Sequence, residues 1–67
     1  MNAMTSRQKL TAKIAGLTDE QLLSGVVAIG GGYVSEDQRL VRALLIEEIS
    51  NRDGADAADF VMDSVGL

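Results

Sequence analysis

Four groups of side chains in this chain could carry chemistry, and each makes its own geometric demand. The first is an acidic series, Asp53, Asp56, Asp59 and Asp63. Carboxylates so spaced suggest a calcium loop, which needs oxygen ligands at its first, third and fifth positions, glycine at the sixth and glutamate at the twelfth. A loop counted from Asn51 puts Ala55 at the fifth position and Asp56 at the sixth, so the pattern fails. What remains is a solvated acidic face, or a docking face for a basic partner.

The second group is Gly30-Gly31-Gly32. Glycine-rich loops cradle phosphate when Gly-Lys-Ser/Thr follows, but no lysine occurs after Lys13. The dinucleotide pattern fails as well, because Ser35 stands where its last glycine should be. Glu36 and Asp37 follow and would repel a phosphate. The stretch therefore reads as a flexible connection, with a hinge or a close backbone approach as the other uses of glycine.

Third comes Glu48, set within an apolar stretch. General acid–base work needs two carboxylates in environments that separate their pKa values, and no such pair is visible. Glu48 is expected to turn outward and pair with Arg52 at i+4, or else to make a specificity contact with a partner. The fourth group, Arg39 and Arg42, could read nucleic acid from a recognition helix. Against this stand the long Gly30–Val34 connection, the acidic residues at the helix start, and a pI of about 4.4.

The chain has no Cys and no His. That removes disulfides, ordinary zinc sites, cysteine nucleophiles and histidine bases. No enzyme, cofactor, metal or small-molecule ligand is expected. Arg7, Lys9 and Lys13 do not precede the apolar stretch of a signal peptide. The least polar run, Gly25–Val34, is about half the roughly 20 residues of a membrane helix. A cytoplasmic location follows by default, with no membrane partner.

These groups must be positioned by some fold. Leu, Ile, Val and Phe number 19 of 67 residues, or 28%, and the net charge is −4. Disorder is expected below about 20% with high charge, so the chain should fold as one domain over 1–67. Its size makes the fold marginal, and neither disulfide nor zinc is there to staple it.

The expected architecture is all-α, a bundle of three to four short helices. The first covers 6–15, with Leu10, Ile14 and Leu17 on one face, Thr5 or Ser6 as N-cap, and Gly16 as a left-handed terminator. Met1–Met4 read as a frayed start. The second covers 19–29. Thr18 and Gln21 form a capping box, and Leu17 and Leu22 a hydrophobic staple. Its β-branched end leaves a short hairpin over 26–34 as the alternative. The third covers 36–51, opened by Ser35 and Gln38; the fourth covers 56–65. Leu10, Ile14, Leu22, Val26, Leu40, Leu44, Leu45, Ile49, Phe60 and Val61 are the expected core.

The third helix carries the most apolar surface. At about 100° per residue from Leu40, Leu44 falls at about 40°, Val41 at about 100°, Leu45 at about 140° and Ile49 at about 180°. Either the other three helices wrap it, or part of it meets another molecule. The reading adopted is a non-enzymatic protein-interaction or regulatory module, in its simplest version a homodimer through the 36–51 helix. Tyr33, Leu40, Val41, Leu44, Leu45 and Glu48 are its candidate contacts. The alternative is a nucleic-acid-associated regulator of helix-turn-helix type using the same helix. Finally, the basic start of Arg7, Lys9 and Lys13 could touch nucleic acid or an anionic membrane surface, although three charges add little affinity; an equally simple use is to face the acidic series, within one copy or across two.

Overall fold

A computed structural model describes residues 5–67. Met1–Met4, read from the sequence as a frayed start, lie outside the described residues. Four helices follow in order: α1 (Ser6–Ala15), α2 (Asp19–Ile29), α3 (Glu36–Asp53) and α4 (Ala55–Ser64). No strand occurs among the described residues, and α2 stays helical to Ile29. The hairpin alternative at 26–34 is therefore excluded. The cap at Thr18 starts the helix, and its β-branched end is held by burial of Val26 rather than by propensity.

Three helix starts use one device. Thr5, Thr18 and Ser35 each accept from the backbone N–H of the residue three positions on, at 3.1 to 3.2 Å. The side chains of Gln8, Gln21 and Gln38 accept in return from the N-cap backbone N–H groups. Each box satisfies two donors that a helix start otherwise leaves open. In α1 the cap is thus Thr5, not Ser6.

The helix ends are less uniform. Gly16 keeps a right-handed backbone, with φ −88° and ψ −4°, not the left-handed one expected of it. Here α1 closes with tightened bonds, Gly16 N–H to the Lys13 carbonyl and Leu17 N–H to the Ile14 carbonyl. Gly30 and Gly54 do take positive φ, 76° and 94°, with ψ near 180°, a region essentially reserved for glycine. Gly54 alone joins α3 to α4, so α3 runs two residues beyond the expected Asn51. At the far end of α4, Gly66 N–H donates to the Asp63 carbonyl and Leu67 N–H to the Met62 carbonyl. With φ 81° at Gly66, this is a Schellman closure.

The main helix–helix contacts all involve α3, which packs against α4, α2 and α1. The α2–α3 pair is antiparallel: Asp19 meets Arg52 at one end and Gly30 meets Arg42 at the other. Between them Gly25 lies against Leu45; a Cβ there would come 2.9 Å from Leu45 Cδ1. The missing side chain lets α2 lie close on α3.

Ile14, Leu22, Val26, Leu44, Leu45, Ile49, Ala58 and Val61 are buried, Leu22 and Val26 completely. Leu10 is half-buried against this cluster. Two expected core residues are corrected. Leu40 is 38% exposed and Phe60 73% exposed. Phe60 and Val61 are neighbours, about 100° apart on a helix, so α4 cannot centre both on α3. It buries Val61, with Ala58 one turn before it.

The α4 C-terminus folds back on the α2–α3 loop. A Cβ on Gly31 would land on the Val65 carbonyl and crowd Gly66, while one on Gly32 would meet nothing within 4 Å. The glycine run is thus a close backbone approach at one position, rather than a flexible connection throughout.

These facts predict a split within the run. Gly31→Ala should destabilise by about 1–3 kcal/mol, as overpacking does. Gly54→Ala should cost about 1–3 kcal/mol through its backbone conformation. Gly32→Ala should be neutral or slightly stabilising. Urea unfolding of the three variants followed by circular dichroism measures this. Equal effects at Gly31 and Gly32 would contradict the packing described.

Candidate interaction surface

Around α3 the covered arc extends from Leu44 through Leu45 and Ile49 to Ile46 and Ser50, about 240° at about 100° per residue. Only Leu40, Ala43, Glu47 and Asn51 are left on its open side in the middle of the helix. Most of the apolar surface of α3 is therefore wrapped by the other helices, and Leu40 stays partly exposed.

This places the six candidate contact residues in three settings. Leu44 and Leu45 are in the core at 5% and 4% exposure, so the structure corrects their assignment to a partner surface. Val41 is half-buried against the same cluster. Tyr33 is fully exposed and Leu40 partly so. Glu48 is half-buried and engaged with Arg52.

Arg52 is the polar centre of the fold. Its Nε donates to Glu48 Oε2 at 2.8 Å, within α3. One terminal nitrogen, Nη1, donates to Asp19 Oδ1 at 3.1 Å, in the first turn of α2. The other, Nη2, donates to the Ala15 carbonyl at 3.0 Å, in the last turn of α1. One planar guanidinium thus ties three helices, using donors on all three of its nitrogens. The Ala15 carbonyl is one of the acceptors that α1 leaves open at its end.

The hydrogen bond to Glu48, then that to Asp19, raise the Arg52 pKa above the ordinary arginine value, against a lowering effect of burial. A base whose folded pKa is raised contributes stability that is complete below its unfolded pKa and lost as pH rises through the folded one. For Arg52 that window lies above the ordinary arginine range. Its own titration therefore leaves the tie intact around neutral pH.

Arg42 plays a parallel part at the other end of α2. Its Nη1 donates to the Gly30 carbonyl at 2.6 Å, capping the helix end. The recognition-helix reading needs that guanidinium on a base or phosphate, and the fold has already engaged it. Arg39 remains exposed, beside Glu36 and Asp37 in the first part of α3.

Sequence reasoning missed three exposed apolar residues. Leu23 and Val27 lie one turn apart on the outer side of α2, and Phe60 stands on α4. The signal for Phe60 was present: Asp56 at i−4 and Asp63 at i+3 are its helix-surface neighbours, which marks a solvated face. Leu67 is also partly exposed.

Among the described residues there is no cavity and no group of three or more metal-ligating side chains. No described helix is long and apolar enough to cross a membrane. Comparison with protein-family models, with curated proteins and with solved structures finds no match.

The Arg52 tie makes a graded prediction. Arg52→Ala should lower the melting temperature, and the deficit relative to wild type should shrink at high salt as the charge-assisted part is screened. Arg52→Lys should recover only part of the loss, because an ammonium cannot span the three acceptors in one plane. Thermal unfolding at low and high ionic strength checks both. An Arg52→Lys variant as stable as wild type would show that charge alone suffices.

Proposed function

We propose that this chain is a non-enzymatic interaction module that binds protein through its outer surface. Tyr33 and Phe60 are its anchors, with Leu40 on α3 and Leu23 and Val27 on α2 as further apolar contacts. The observation that carries this reading is that the chain owns two aromatic side chains and the fold buries neither.

Aromatic side chains bring the largest apolar area a core can receive. Burying one fully is worth about 1.5–3 kcal/mol, a large share for a domain of this size. A marginal fold that leaves both in water forgoes that stabilisation. Tyrosine is also among the residues that dominate binding energy at protein interfaces. The loop geometry suits such a role, because Tyr33 follows Gly31, whose backbone is packed on α4, and precedes the capped start of α3.

The contact differs from the one expected of the 36–51 helix. With Leu44 and Leu45 interior, α3 supplies Leu40 and the edge of Val41. The nucleic-acid alternative is not carried forward, since Arg42 is engaged with Gly30.

The test separates binding from folding. Tyr33→Ala and Phe60→Ala, alone and together, should change stability by no more than about 0.5 kcal/mol each, as surface substitutions do. In affinity capture from nuclease-treated lysate, wild type should retain a protein that the double variant loses. Identical capture by both, or retention that disappears with nuclease, would overturn the reading.

A further inference from the structure

The first and last helices of this chain carry charges of opposite sign. The described residues of α1 carry Arg7, Lys9 and Lys13 and no carboxylate. Those of α4 carry Asp56, Asp59 and Asp63 and no basic group. All six side chains are exposed. Among the described residues the ion pairs are those of Arg52 alone, so neither set is neutralised within one copy.

The spacings match as well as the signs. Lys9 and Lys13 are separated by four residues, and so are Asp59 and Asp63. Residues four apart share one helix face at adjacent turns. Both pairs lie away from the buried faces of their helices, which are centred on Ile14 in α1 and on Ala58 and Val61 in α4. Phe60 stands beside the acidic pair at 73% exposure. An aromatic face there accepts the alkyl stem of a lysine and attracts its ammonium.

We infer that the outer face of α4 docks α1 of a second copy of this chain. Lys9 and Lys13 of one copy lie against Asp59 and Asp63 of the other, with Phe60 beneath the lysine stems. The inference rests on the interaction-module reading and names its partner as the chain itself. Two copies each of net charge −4 repel at long range; the opposite charges of α1 and α4 let this one pair of faces attract at contact. A contact between two ten-residue helices is smaller than the roughly 1,200 Å² at which stable interfaces begin, so the association is weak and exchanges fast. If α1 and α4 engage reciprocally, two such contacts close a dimer.

Sedimentation equilibrium of the full chain, at low and at high salt, tests this. Raising salt from about 0.01 M to about 1 M shortens the Debye length from about 30 Å to about 3 Å. Self-association should weaken at least about tenfold over that range. Lys9→Glu/Lys13→Glu and Asp59→Lys/Asp63→Lys should each be monomeric where wild type associates. The variant with all four changes has the wild-type net charge and should associate again. Helical circular dichroism confirms that each variant is folded. A wild type that stays monomeric at low salt overturns the inference, as does association indifferent to salt or a fourfold variant that stays monomeric. Such a result leaves the wider reading to be judged on whether Tyr33 and Phe60 retain a different protein in the capture experiment.

Discussion

The structure depends on covering one helix. A chain of 67 residues without cysteine or histidine has no disulfide and no ordinary zinc site to hold it, so its stability must come from packing. It meets that demand by making α3 the common wall for α1, α2 and α4. Leu44, Leu45 and Ile49 look in successive directions around α3 and share one buried cluster with Ile14, Leu22, Val26 and Val61 of the shorter helices. None of those shorter helices exceeds 11 residues, a length at which an isolated helix is marginal in water. Their helicity is therefore a consequence of the surface that α3 offers them, helped in α1 and α2 by the capping boxes.

Polar ties and backbone contacts then fix how the short helices sit on that wall. Arg52 and Arg42 hold the two ends of α2 to α3, one through a carboxylate and one through a terminal carbonyl. The first also reaches the end of α1, so one side chain ties the α1–α2 corner to the last part of α3. At the opposite end, the backbone of Gly31 meets that of Val65, and the Schellman closure at Gly66 orders the residues that make this contact. A glycine run that resembles a loose connection is in part a packing surface. With α3 largely covered by the other helices, Tyr33 and Phe60 stay outside the core.

Much of the fold was legible in the residues because local signals agreed with one another. Thr18 with Gln21 and Ser35 with Gln38 marked two helix starts through side-chain chemistry that depends only on near neighbours. The Glu48–Arg52 pair followed from i,i+4 spacing alone. The candidate surface was less legible. Leu44 and Leu45 read as contacts because periodicity shows how wide an apolar arc is, not how many neighbours cover it. Phe60 read as core because it was grouped on one helix face with Val61, although its aspartate neighbours placed it on the solvated face.

The sequence by itself determined most of the elements: where three of the four helices begin, and which residue types are absent from any chemistry the chain performs, while helix or hairpin over 26–34 waited for the structure. These are local properties, decided within one or two helical turns by capping, propensity and spacing. Only the tertiary structure decided that Leu40 and Phe60 face outward, that Arg52 joins three helices and Arg42 closes α2, and that Gly31 rather than Gly32 must lack a side chain. Those outcomes depend on groups 12 to 37 residues apart in the chain, as in Arg42 with Gly30 and Arg52 with Ala15. Their meeting is set by the one arrangement in which three short helices cover α3.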